Sequence, residues 1–299
     1  MGRILKELGF SLRVNQKSIS ASPVCAEVRD EQFRYIGKLR QSFSAAGHPV
    51  VSVDTKKKEL VGSFKNQGQA WSQAPVPVND HDFRSQADGI ATPYGIYDVG
   101  ANRGSVYVGI SSDTPEFATD CLSRWYQEEG RDRYPYSNEL LILADSGGSN
   151  GYRCRAWKQG LQLKLANRHS LKVTVCHYPP GCSKWNLIEH RLFSEISKNW
   201  SGRPLDSYET ILNYISTTTT DTGLQVRACL HSTEYIKGIR ITDEEMAALA
   251  LCTHDIQPER NYTIIPDVAS SRTTNRSFDR WTWHTREQQQ VAVKSGSYF

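Results

Sequence analysis

Two short apolar runs, each stopped by an aspartate, constrain the fold of this chain more than any other feature. The run Pro49-Val50-Val51-Ser52-Val53 is β-branched and apolar, follows a turn, precedes a lysine run and brings Asp54 to its carboxyl end. Leu140-Leu141-Ile142-Leu143-Ala144 brings Asp145 to an equivalent position. Segments this short and this apolar on both alternating faces read as strands covered from both sides. A third such strand is predicted over residues 171 to 177, and a pair over 92 to 99 and 105 to 110 joined by the turn Gly100-Ala101-Asn102-Arg103-Gly104.

Helical periodicity fills the intervals. Residues 30 to 46 place Phe33, Ile36, Leu39 and Phe43 on one stripe. Thr114 is positioned to cap a helix that carries Phe117, Cys121 and Trp125 in line, with Gly130 as its terminator. Further helices are expected over 151 to 166 and over 184 to 200, the latter with Trp185, Ile188, Leu192 and Ile196 facing inward and Glu189 at the edge of that face. Residues 205 to 266 are read as continuing with helices, one of them started by a Thr242–Glu245 capping box. Residues 62 to 89 are a long polar connection. The alternation of strand and helix implies an α/β layered domain, in which ligands gather outside the carboxyl ends of the central strands.

The composition fits a water-soluble chain: 299 residues, 38% hydrophobic and 23% charged, with no apolar run long enough to cross a membrane and no secretory apolar segment at the start. A cytoplasmic, nucleoid-associated protein is expected. Seven scattered cysteines without a CxxC pair indicate reduced thiols. Cys176, His177, Cys182 and His190 lie near one another in sequence, but their spacing matches no familiar zinc pattern. The net charge of +4 permits nucleic-acid binding without requiring it.

Asp54, Asp145 and Glu189 are the candidate catalytic and metal-ligating residues. Phosphodiester cleavage needs an activated attacking oxygen and a stabilised leaving oxygen, and a pair of divalent cations held by carboxylates from separate elements meets both needs. Taken singly, each aspartate is more simply read as a turn former or helix cap and the glutamate as a first-turn acid that complements the helix dipole; it is the combination that points to chemistry. Lys56, Lys57 and Lys58 directly follow Asp54 and are either phosphate contacts or a solvated strand end.

At these residues the sequence resembles a known family, the DDE transposases of bacterial insertion sequences, nearest the ISAzo type and more distantly the Tc/mariner group. The segments that carry the resemblance are SVDTKKKELVG around Asp54, LILADSGGSNGYR around Asp145, HYPPGCSKWNLIEHRLFSEI around Glu189 and RNYTIIP at 260 to 266. Leu187 stands where relatives often have proline.

The resemblance implies a ribonuclease H-like, retroviral integrase-like domain with a mixed central sheet flanked by helices. It further implies two Mg2+ or Mn2+ ions on Asp54, Asp145 and Glu189, with Glu195 the rival for the third position. Asn186, one helical turn before Glu189, is expected to orient that acid or a water, or else to be a plain helix-start amide. The implied activity is metal-dependent cleavage at insertion-sequence ends followed by strand transfer to target DNA, by a chain that forms a homo-oligomer. A non-catalytic DNA-binding relic and a stand-alone nuclease of the same fold are the alternatives. The expected division is a helical segment 1–47, remnant of a helix-turn-helix region, a catalytic domain 48–266 and a poorly ordered tail 267–299. His81-Asp82-Phe83 resembles a recurring family segment and is read as structural.

Overall fold

The computed structural model describes residues 2–11, 25–267 and 283–284. Helix α1 (Gly2–Glu7) is followed by α2 (Ala26–Ala45), which begins four residues earlier than its apolar stripe indicates. The strands are β1 (Val50–Thr55), β2 (Glu59–Val61), β3 (Gly89–Asp98) and β4 (Arg103–Gly109). Helix α3 (Pro115–Trp125) passes through a π-helical turn, Tyr126–Gly130, into the short α4 (Arg131–Arg133). Then come β5 (Glu139–Ala144), α5 (Arg155–Gly160) with its π-helical continuation Leu161–Asn167, and β6 (Lys172–His177). A π-helical turn Glu189–Phe193 leads into α6 (Ser194–Asn199), followed by α7 (Tyr208–Ser216) and β7 (Gln225–His231). Helix α8 (Asp243–Ala247), β8 (Leu251–Thr253), β9 (Asn261–Ile264) and β10 (Trp283–His284) follow among the described residues.

The sheet order is β10-β7-β4-β3-β1-β5-β6-β9-β8, with β2 paired to β3. Strand β3 runs antiparallel to β1 and β4, whereas β5 is parallel to β1 and β6 to β5. This mixed sheet flanked by helices is the ribonuclease H-like arrangement that the resemblance implies. Strands β1, β4, β5, β6 and β7 therefore all point their carboxyl ends to one edge.

Strict alternation sorts the core. Val51, Val53, Leu140, Ile142 and Ala144 face α3 and α5, against Trp125, Trp157 and Leu161. Val50, Leu141 and Leu143 face the other way, onto Ile36 and Phe43 of α2. Gln32 of α2 exchanges hydrogen bonds with Asn261 of β9 and donates to the His177 carbonyl, so this helix is tied to the sheet by polar as well as apolar contacts.

Three expectations fail for identifiable reasons. Gly130 does not end its helix: it keeps right-handed helical dihedrals, φ −63 and ψ −47, and its missing side chain makes room for the rings of Tyr126 and Trp125, which a Cβ would approach to 2.9 and 3.2 Å. Trp185 does not join the inward stripe: it sits in the short 3-10 turn before the helix and is 57% exposed, edge-on to Phe33. Residues 205 to 266 do not remain helical, since β7 adds in parallel to β4 and β9 pairs antiparallel with β6. The expected tail from residue 267 lies outside the described residues except for Asp267 and Trp283–His284, the latter pairing antiparallel with β7.

Candidate active site and metal centre

Asp54 and Asp145 come together through strand register. In the parallel pair β1–β5, Val53 is opposite Ala144, so the two aspartates are the next residues of adjacent strands at the same edge. The alternation that turns Val53 and Ala144 toward α3 turns both aspartates to the opposite face, the face covered by the helix that bears Glu189.

That helix reaches the sheet closely because the sheet beneath it has glycines. Gly95 is the residue paired with Asp54, and a Cβ there would lie 2.5 Å from the Phe193 ring and 2.9 Å from Ile188. A Cβ on Gly104 would lie 2.5 Å from Leu192. Glycine inside a strand marks close approach of another element, and here the element is the one that carries the third carboxylate.

A buried polar lock fixes the geometry. Asn186 is fully buried, and its amide Nδ2 donates to Asp54 Oδ2 at 3.1 Å. Ser52 Oγ, two residues before Asp54 on the same strand face, donates to Asn186 Oδ1 at 2.6 Å and accepts from the Ile188 amide at 3.2 Å. The other Asp54 oxygen accepts from the Thr55 amide at 2.8 Å. Asn186 thus orients Asp54, not Glu189. Ser52 was missed from the sequence, where it reads as one polar residue in an apolar run. Ser52→Ala would strand the Asn186 carbonyl oxygen and the Ile188 amide, at a cost of about 1–3 kcal/mol. Manganese affinity is expected to fall in Ser52→Ala and in Asn186→Ala, with the double variant no weaker than the worse single; additive losses in a titration would show that the two do not act as one unit.

Burial, followed by the charges of Asp145 and Glu189, pushes the Asp54 carboxyl up to about 7 despite the hydrogen bonds from Thr55 and Asn186. Burial also raises Glu189, opposed by Lys56 and His190. A carboxylate group short of compensating charge, built only from hard oxygen donors, fits Mg2+ or Mn2+. Among the described residues no three His, Cys, Asp or Glu side chains stand close enough together to hold a metal ion by themselves. Magnesium takes only one or two carboxylates and completes its shell with water and substrate phosphate, so an open carboxylate group suits it.

The lysine run divides. Lys56 turns inward, pairing with Glu59 at 3.5 Å and lying 4.6 Å above the Trp200 ring, while Lys57 and Lys58 are exposed. Lys56, Lys57, Lys184, Glu189, His190 and Phe193 line a cleft of about 500 Å³ beside the carboxylates. Glu195 is engaged with Lys198 at 2.7 Å. His190 bonds the Lys184 carbonyl. His81 and Phe83 pack on each other at the surface. All seven cysteines are free thiols.

His177 supports Asp145 from behind. Burial lowers its pKa to about 4, so the ring is neutral. Trp157 Nε1 donates to Tyr262 Oη at 3.1 Å, leaving the tyrosine hydroxyl to donate to His177 Nε2 at 3.3 Å. The proton of the ring then sits on Nδ1 and is donated to the Asp145 carbonyl at 2.9 Å. Cys176 faces the other side of the sheet, as strand alternation requires.

A family profile described as the Rhodopirellula transposase DDE domain matches residues 1–266. A comparison with curated proteins found no match. Among solved structures, the Mos1 transposase paired-end complex with left transposon end aligns over 71% of this chain and 60% of that chain, at 14% identity and a TM-score of 0.44. The Mos1 mariner paired end complex with Mn gives 13% identity over 71% and 60%, with a TM-score of 0.42. The mariner Mos1 paired end complex with Mg gives 12% identity over the same shares, with a TM-score of 0.45. The chain spans about 60% of the length of these solved chains.

Proposed function

The chain belongs to the transposase DDE domain family, and from that premise we propose that it is a metal-dependent transposase, cutting DNA at the ends of an insertion sequence and joining the freed end to target DNA. Asp54, Asp145 and Glu189 are its metal ligands and catalytic residues. The observation that carries the reading is the parallel Val53–Ala144 register, which sets two aspartates side by side on the face covered by the Glu189 helix. A divalent cation pair supplies charge neutralisation for both the attacking and the leaving oxygen of an in-line displacement.

The chain's own residues supply positioning. Asn186 holds one Asp54 oxygen while the Thr55 amide holds the other, so the carboxylate presents its remaining lone pairs in a fixed direction. His177 holds the Asp145 backbone. Lys56 partly offsets the charge of Glu189. Lys57 and Lys184 give the cleft exposed cations suited to a phosphate backbone, and Lys58 is exposed next to Lys57. In the first displacement water attacks the scissile phosphate in line, forming one P–O bond as the bond to the 3′ oxygen breaks, which leaves a 5′ phosphate and a 3′ hydroxyl. That hydroxyl then attacks a target phosphate, forming a new phosphodiester as the target strand's own 3′ oxygen leaves, so one P–O bond is exchanged for another. The catalytic domain is taken as 48–266 and the active form as a homo-oligomer on paired ends.

The test is incubation of the purified chain with supercoiled DNA carrying its element's ends, with Mg2+ or Mn2+. Cleavage followed by joined products is the expected result. Cleavage without joining would identify a nuclease instead, and binding without cleavage a non-catalytic relic.

A further inference from the structure

We propose that the loop between β7 and α8 is a second grip on duplex DNA, in which Lys237 and Arg240 hold backbone phosphates and Ile236 and Ile239 press against the groove beside them. The proposal rests on the DNA-cleaving reading of the carboxylate edge. It assigns a binding surface to residues outside the lysine run and outside the carboxylate group.

Topology puts the loop at the right edge. Strand β7 is parallel to β4, and its last residue, His231, is opposite Gly109, so the chain leaves β7 at the same edge at which β1 and β5 deliver the aspartates. Strands β4 and β3 separate β7 from β1. Three strand spacings amount to roughly 14 Å, or roughly four base-pair rises along a duplex. Contact between the two regions is continuous: Thr55, next to Asp54, donates to Asp113 at 3.1 Å, and Asp113 lines a cleft of about 490 Å³ whose opposite wall is residues 236–241.

The loop is fastened at both ends and presented in the middle. At its start, Tyr235 Oη is 2.9 Å from Asp120 and 2.6 Å from His231 Nε2, and the Tyr235 amide donates to Ser111. At its end, Arg155 pairs with Asp243 at 2.6 Å and donates to the Ile241 carbonyl, and Thr242 caps α8. Between these anchors Ile236 is 79% and Ile239 46% exposed, with Gly238 in the left-handed region at φ +83. Such fastening lowers the ordering cost of binding.

Charge selects the occupant. Lys237 and Arg240 are exposed, and no ion pair within the described residues holds either. Glu234 is the single acid of residues 232–241, and of the acids that follow at the start of α8 Asp243 is paired with Arg155 while Glu244 and Glu245 lie within the helix's first turn. Asp113 and Glu116, both part-buried, line the same cleft, so a polyanion is held at the exposed loop and kept out of the cleft. Exposed isoleucines interleaved with cations suit a minor groove, whose sugar faces are apolar and whose walls are phosphate.

The experiment is fluorescence anisotropy of a labelled duplex oligonucleotide against the full chain over a range of salt concentrations. The double variant Lys237→Ala/Arg240→Ala is expected to lower the slope of log affinity against log salt by about 2, because each lost phosphate contact removes about 0.9. Ile236→Ser/Ile239→Ser is expected to weaken binding severalfold with the slope unchanged. An unchanged slope in the cation variant, with wild type binding normally, overturns this proposal and leaves the transposase reading intact. Failure of the wild type to bind any duplex overturns both. Melting temperatures equal to wild type verify that each variant is folded.

Discussion

Asp54→Asn is expected to abolish metal-dependent cleavage while removing a pH-dependent weakness of the metal-free protein. Loss of a ligand that neutralises charge in the displacement costs about 4 kcal/mol of transition-state stabilisation, or roughly a thousandfold in rate. The stability effect follows from the raised carboxyl. It titrates at about 7 in the folded chain, against about 3.9 for an exposed aspartate. The folded chain therefore binds this proton more tightly. The contribution to folding is fully present below about pH 4 and is lost as pH rises through about 7. The whole separation is worth roughly 4 kcal/mol, and solvent at the mouth of the cleft reduces it to about 2. Between about pH 5 and pH 8, where about two thirds of that contribution is lost, the metal-free wild type is expected to lose roughly 3–5 °C of Tm relative to Asp54→Asn. Manganese should restore the wild type and leave the variant unmoved, because binding displaces the same proton. Parallel pH profiles for the two proteins in a metal-free thermal melt would refute the assignment of that proton to Asp54.

Arg133→Ala is expected to be the most damaging single change outside the carboxylate edge. Asp98, at the end of β3, is fully buried, and Arg133 Nη1 reaches it at 2.7 Å while Nη2 reaches the buried Glu129 at 3.1 Å. Tyr134 Oη and the Ala101 amide also donate to Asp98, and Ser105 Oγ donates to Glu129 at 2.6 Å. Removing the guanidinium leaves two buried carboxylates with those neutral donors and the more distant Arg227, 3.7 Å from Glu129. Breaking one partner of a buried pair costs about 3–5 kcal/mol, which corresponds to roughly 6–20 °C in Tm for a domain of this size. Chemical denaturation checks it: a loss below about 1 kcal/mol would mean that the carboxylates take up protons or water at little cost. Asp98→Asn in the Arg133→Ala background should recover part of the loss by removing one of the two charges.

Much of this was legible before any coordinates. The runs ending in Asp54 and Asp145 are apolar on both faces, and only a strand buried between two helical layers accommodates that pattern. The Thr114 and Thr242 caps were readable because the hydroxyl that accepts the Phe117 and Glu245 amides lies within one turn of its partner in sequence. Strand β7 was passed over although Val226, Ala228 and Leu230 alternate after Gly223. Its Arg227 reads as a surface residue until Glu129, nearly a hundred positions earlier, is seen beside it.

The sequence by itself determined which residues were available for chemistry and that two aspartates would end buried strands. Local periodicity and short-range capping encode that much, because their partners lie within a few residues. Tertiary structure alone decided what those residues do for one another. Register set Asp54 beside Asp145, the bare backbone at Gly95 and Gly104 let the Glu189 helix settle onto the sheet, and Ser52 and His177 became supports for the aspartates. Each of these contacts joins residues 32 to 136 positions apart or depends on the absence of a side chain, and neither leaves a periodic mark in the chain.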